Sequence, residues 1–197
     1  MEYYHLEARV KANTAFAVPK GRIQTPTGSR LVEQLIGLNE LPYQLELMDL
    51  KKQNGRWEPV EILISELALW VDYQPNEWAY PMMSERMADI VKSHLTGEEG
   101  IDWISAQVTA KEEKRVYFIP RFSKLLDTLD SEKTTRTPGG LTVRSWFALE
   151  KIKAFSMFQG APEFWEITPS LVVNESLMKA LKKAKLTGIG FSPARFS

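Results

Sequence analysis

"SERMADIVKSHLTG" (residues 84–97) and "NESLMKALKKAKLTG" (residues 174–188) are two versions of one pattern. Their likeness decides how the chain is read, since an internal repeat fixes architecture before any single residue does. Each opens on a preferred N-cap residue, Ser84 or Asn174. Glu85 or Glu175 follows, a charge suited to the partial positive end of a helix. Met87, Ile90, Val91 and Leu95 in the first copy, and Leu177, Ala180, Leu181 and Ala184 in the second, form apolar stripes at helical spacing. Lysines gather toward both C-terminal ends, and Gly97 and Gly188 stand where a left-handed residue stops a helix.

Beyond each glycine the chain extends through "IDWISAQV" or "IGFSPARF". Trp78 and Pro81 precede the first cap, Trp165 and Pro169 the second. The predicted unit is an aromatic-proline loop, a capped helix, a glycine stop and a strand, repeated around residues 78–108 and 165–196. The second helix is predicted one residue longer, and its copy lacks a counterpart of Glu98, Glu99 and Gly100. Doubling reports architecture, so function is expected in the segments that differ.

With 197 residues, 44% of them hydrophobic and 25% charged, the chain can build one compact domain or two lobes, residues 1–110 and 111–197. Lysine plus arginine equals aspartate plus glutamate, which gives no overall field for nucleic acid or an anionic membrane. The absence of cysteine excludes disulfides and thiolate chemistry. "MEYYHLEARV" lacks the features of a signal peptide, and a cytoplasmic protein is expected, monomeric or weakly self-associating.

In "YYHLEARV", Tyr4, Leu6, Ala8 and Val10 alternate with a polar face that includes His5, the period of a half-buried strand. "NTAFAVPKGRIQTPTG" reads as a loop, and "SRLVEQLIG" as a helix with a serine cap and a glycine stop. "YQLELMDL" and "WEPVEILI" flank the hairpin signal Asn54-Gly55. "VYFIP" predicts a strand, "SKLLDTLD" a helix, "SEKTTRTPGG" a polar stretch, and "LTVRSWFAL" and "KAFSMF" strands. A boundary is expected near "TAKEEK". The class is α+β: mixed, largely antiparallel sheets with short amphipathic helices and two similar strand-helix-strand units.

Chemistry is sparse. His5 and His94 have no cysteine to join them, and His94 suits the negative end of a helix dipole. Gly139-Gly140 lacks the residues of a P-loop or dinucleotide fingerprint and reads as a turn. The lysines of "MKALKKAK" are explained by dipole and solubility. Asp127 and Asp130, three apart on the expected helix, are the candidates for a metal-assisted hydrolase or transferase, with Glu98, Glu99 and Asp102 clustered elsewhere. The favoured expectation is no catalytic residue, no metal and no cofactor.

Trp57, Trp70, Tyr73, Trp78 and Tyr80 crowd one part of the chain, and such side chains dominate binding hot spots. Trp103 and Trp146 lie in strand-like runs and read as structural. Trp78, in the turn-rich "QPNEWAYP" beside Glu77, is the expected exposed anchor. Glu98 and Glu99 are placed to meet a basic partner. The candidate partner-binding residues are therefore Trp57, Glu77, Trp78, Tyr80, Glu98 and Glu99.

The succession "EWAYPMMSERMADIV", "VYFIPRF" and "FWEITPSLVVNESLMKALKKAKLTGIGF", from about Trp78 to Phe191, resembles the immunity proteins of bacterial polymorphic toxin systems. The resemblance is to the family called immunity protein 43, related in style to immunity protein 11. It implies a small cytoplasmic protein that binds a cognate toxin domain and blocks its active site or substrate path, with no shared catalytic residues; the charge balance adds the expectation of no nucleic-acid and no membrane partner.

Overall fold

A computed structural model describes residues 2–10, 14–23, 25–53, 56–59 and 70–197. In chain order the elements are β1 (Tyr3–Ala8), β2 (Phe16–Pro19), α1 (Gly28–Gln34), β3 (Leu45–Met48), β4 (Leu50–Gln53), β5 (Arg56–Pro59), β6 (Tyr73–Gln74), β7 (Met82–Ser84), α2 (Glu85–His94), β8 (Ile101–Ala110), β9 (Glu113–Phe122), β10 (Thr135–Arg136), β11 (Thr142–Arg144), α3 (Leu149–Ile152), β12 (Met157–Gln159), β13 (Leu171–Asn174), α4 (Glu175–Lys183) and β14 (Ile189–Pro193). Strands pair in the orders β2-β3-β8-β9-β7-β6 and β12-β13-β1-β14, with β4-β5 and β10-β11 as separate ribbons. All these pairings are antiparallel except β3 with β8, and the fold is α+β.

The repeat is present, in an arrangement the sequence does not announce. In the larger sheet β9 lies between β7 and β8, which α2 connects; in the smaller, β1 lies between β13 and β14, which α4 connects. The N-terminal strand thus completes the C-terminal copy. Registers make the equivalence residue by residue. Ser84 pairs with Tyr117 and Asn174 with Tyr3; both tyrosines are buried, and their hydroxyls donate to the carbonyls of Val71 and Ile152, each at 2.9 Å. Lys92 lies over Trp103 and Lys182 over the equivalent Phe191, 5.2 and 5.5 Å from the ring centroids.

Both helices start as their caps dictate: the Ser84 hydroxyl accepts from Met87 N–H (3.3 Å) and Asn174 Oδ1 from Leu177 N–H (2.9 Å). The stops differ from expectation. Gly97 and Gly188 are left-handed, but α2 ends where Leu95 turns extended, and the left-handed residue after α4 is Lys185. α2 is also the longer helix, with 10 residues against 9. Gly188 is required for another reason: a Cβ there would lie 2.7 Å from the Tyr73 carbonyl oxygen.

The turn at each Leu-Thr-Gly is tied to the other copy through a carboxylate. Thr187, after α4, donates its N–H (2.8 Å) and hydroxyl (3.0 Å) to Asp72, at the entry to β6. Asp72 also accepts from the Ser84 hydroxyl (2.8 Å) and from Arg86 (3.0 Å). The position equivalent to Asp72 is Ser156, before β12: Asp72 and Ser156 carbonyls accept from Ser84 and Asn174 N–H, at 2.7 and 3.0 Å. Serine offers no carboxylate there, and Glu99 supplies one. Its oxygens accept from Ser156 N–H (2.8 Å), the Thr96 hydroxyl (2.8 Å), and the N–H groups of Thr96 and Gly97 (both 3.0 Å). The three residues that the second copy lacks therefore carry the acid of the first clasp.

Between the clasps α2 packs on α4, and Met87, Val91, Leu177 and Leu181 share one core with Tyr3, Phe147 and Phe158. Each such side chain contributes about 1.5–3 kcal/mol by leaving water. Leu31, Leu35, Ile104 and Tyr117 belong to a second core on the larger sheet.

Several expectations need correction. "SKLLDTLD" is not helical; its backbone bonds distant groups, with Lys124 O accepting from Gln159 (2.8 Å) and Thr128 O from Ala148 N–H (2.9 Å). Phe16–Pro19, read as loop, is a strand paired with β3. The helix near "SRLVEQLIG" starts after Thr27 without a side-chain cap, and Ile36 is exposed. Tyr3 is buried in β1 while Val10 is exposed, and His5 is half-buried against Phe147, where burial lowers the imidazole pKa. Residues 111–112, the expected boundary, are the turn joining β8 to β9. β4 and β5 pair antiparallel, as the ribbon requires, while Asn54-Gly55 and residues 60–64 lie outside the described residues. No helix among the described residues is long and apolar enough to cross a membrane.

Two predictions follow the clasps. Glu99→Gln sets an amide against backbone donors and should cost about 2–4 kcal/mol in urea unfolding; a loss below about 0.5 kcal/mol contradicts the assignment. At Asp72 burial opposes ionisation, but the bonds from Thr187, Ser84 and Arg86 prevail and hold the carboxyl below its ordinary 3.8. A depressed folded-state pKa stabilises above the unfolded value and is lost as pH falls through the folded one. Asp72→Asn should therefore be less stable than the wild type at pH 7, and the gap should narrow below about pH 4. A gap that widens in acid would contradict this.

Candidate functional site

The two aromatic-proline loops, distant in sequence, form facing walls of one groove of about 420 Å³. Trp78, Ala79 and Tyr80 contribute one wall, Glu163–Pro169 residues the other, and Gly28, Ser29, Val32 and Glu33 of α1 the third.

Asn76 shapes the first wall. Its Oδ1 accepts from the N–H groups of Trp78 (3.2 Å) and Tyr80 (3.1 Å), and its Nδ2 donates to the Tyr80 carbonyl (2.6 Å). This wheel holds Ala79 at φ 56, a left-handed conformation that a Cβ disfavours. Trp78 stacks on Tyr80 and meets Tyr43 at a tilt, each with 6.0 Å between centroids, and its Nε1 donates to the Pro26 carbonyl (3.2 Å). The Tyr80 hydroxyl donates to the Gly28 carbonyl (2.6 Å), and burial, then the charge of Glu166, raises its pKa. These bonds tie the start of α1 to the loop. The far end is held by Arg121, which forks onto Asp102 (2.9 and 2.7 Å) and donates to the carbonyls of Leu35 (2.6 Å) and Leu38 (3.0 Å).

In the opposite wall Phe164 is 53% exposed, Trp165 is half-buried and Ile167 is buried. Phe122 N–H donates to the Glu166 carbonyl (2.8 Å), fixing this loop to the end of β9. Burial opposes ionisation of Glu163, but the N–H of Thr142 at its carboxylate (2.6 Å) and nearby Arg136 outweigh it and lower its pKa. Glu33, Glu163 and Glu166 line the groove, and among the described residues no lysine or arginine does.

The expected partner-binding residues are thus divided. Trp78, at 8% exposure, and Tyr80 are buried and brace the groove, which corrects the reading of Trp78 as an exposed anchor. Glu99 is fully buried in its clasp and unable to meet a partner. Glu77 and Glu98 are exposed, and Trp57, in β5, pairs through its backbone with Lys52 of β4, its side chain lying outside the described residues. Asp127 and Asp130 are on no helix: Asp127 binds Lys151 (2.8 Å), while Asp130 accepts from the Ser197 hydroxyl (2.6 Å). Among the described residues no cluster of three His, Cys, Asp or Glu is arranged to hold a metal ion. The sequence reading missed Asn76, Glu33, Phe164 and Glu166; its one pointer was the recurrence of Trp and Pro before each cap. A second hollow of about 700 Å³ runs past the Asp72 clasp, where Arg115 lies over Trp70 (4.6 Å).

No family model and no curated protein matches this chain.

The wheel generates a paired expectation. Asn76→Ala strands two buried N–H groups and should lower stability by about 2–3 kcal/mol. Ala79→Gly relieves the left-handed strain and should raise it by about 0.5–1 kcal/mol. Thermal unfolding of both variants checks the loop geometry, and a destabilised Ala79→Gly would contradict it.

Proposed function

We propose that this is an immunity protein, which binds a cognate bacterial toxin domain in the cytoplasm and neutralises it by protein-protein contact. The observation that carries the reading is the groove itself. Its apolar surface is open, with Phe164 exposed at one lip, and it is built on two loops that are separately braced by core residues. A rigid, partly apolar concavity with a polar rim has the anatomy of a docking surface. The resemblance of "EWAYPMMSERMADIV" and "FWEITPSLVVNESLMKALKKAKLTGIGF" to immunity proteins supplies the kind of partner. Nothing in the placement of Asp127 and Asp130 favours the metal-assisted alternative.

Induction of the toxin-like domain encoded beside this protein should arrest growth, and co-expression of this protein should restore it. The two should then co-purify from surviving cells as a stable complex. Rescue without a complex would replace binding by repair of the toxin's damage, and no rescue would overturn the reading.

A further inference from the structure

The groove also carries information about the chemistry of its occupant. Glu33 projects from the exposed side of α1, and Glu163 and Glu166 come from the opposite wall, so acidic groups stand on two sides of an apolar centre. Within that centre are Val32, Trp165 and the exposed ring of Phe164. Among the described residues no lysine or arginine lines the groove, and Arg136 and Arg121 stand behind Glu163 and Glu166 rather than in it, so an acidic segment entering it would meet the carboxylates with no cation of the lining to pair with. A neutral apolar segment would leave the carboxylates facing it without new partners, at a desolvation cost. A segment with cations flanking one aromatic side chain satisfies both parts, because the cations meet the rim while the ring fills the centre.

We infer that the groove between the aromatic-proline loops and α1 takes a cationic segment of the partner protein, one aromatic side chain seated between Val32 and Phe164 and flanked by lysine or arginine that pairs with Glu33 and Glu166. This rests on the proposed neutralising function for the partner's identity, but the groove's preference is a property of this chain alone. Glu98 and Glu77, exposed elsewhere, are not needed for it. The size agrees: about 420 Å³ has room for one large side chain and its neighbours.

The test uses the full chain and two capped tripeptides, acetyl-Lys-Trp-Lys-amide and acetyl-Glu-Trp-Glu-amide, whose caps remove terminal charge. Titration followed by the indole N–H signals of Trp78 and Trp165 in NMR spectra should give saturable shifts with the lysine peptide and none with the glutamate peptide. Affinity should fall at least about threefold at 0.5 M salt. It should fall about fivefold or more in Glu33→Gln/Glu166→Gln, whose unchanged remote signals report an intact fold. Equal shifts with both peptides, or no saturable shift, would overturn the inference. In cells, full rescue by the charge-reversed Glu33→Lys/Glu166→Lys variant would overturn it while leaving the neutralising function standing. Failure of the wild type to rescue would overturn that function and leave the peptide result to decide the groove's chemistry.

Discussion

Two carboxylates hold this molecule's halves together. Asp72 receives Thr187 and Glu99 receives Ser156, so each copy of the repeated unit is bound to the other through a threonine-glycine turn. Charged acceptors of backbone N–H groups make strong bonds, and burial raises the cost of losing either partner. The reciprocity also explains why α2 and α4 share one core: the turns that follow them are the points of attachment, and Met87, Val91, Leu177 and Leu181 close the space between. The N-terminal strand β1 is drawn in for the same reason, since the second copy has no middle strand of its own.

The clasps set the position of the groove. Loop 75–81 leaves β6 just after Asp72, and loop 160–170 leaves β12 just after Ser156, so both clasped entries lead directly into a groove wall. The walls are therefore fixed relative to each other by the same bonds that join the copies. α1 fills the remaining side, held at one end by the hydroxyl of Tyr80 and at the other by Arg121. Preorganisation of this kind lowers the entropy lost when a partner binds.

What the sequence discloses is local. Ser84 and Asn174 announce their helices because a cap bonds a residue three positions on, and the stripes that follow need only helical spacing. "SKLLDTLD" misleads because leucines at positions 125, 126 and 129 suit either a helix or an irregular strand, and the decision lies with Gln159, Ala148 and Lys151, far along the chain. Trp78 looks exposed in a proline-rich turn, yet Asn76 folds that turn inward and Tyr43 covers the indole. Glu99 reads as a surface acid because nothing nearby shows that Ser156 occupies the place of an aspartate. The groove was half legible: Trp and Pro recur before both caps, but their convergence depends on topology, and Glu33 enters from a helix with no part in the repeat.

The most direct measurement of this architecture is native-state hydrogen exchange of two amides, Ser156 N–H and Thr187 N–H. Each donates across the join, to Glu99 and to Asp72 respectively. If the clasps unite the copies, both amides should exchange only through global opening, with protection equal to that of the α2 and α4 cores and the same denaturant dependence. Exchange of either amide through low-energy local opening, while both helices stay protected, would show that the copies are merely adjacent and would contradict the account.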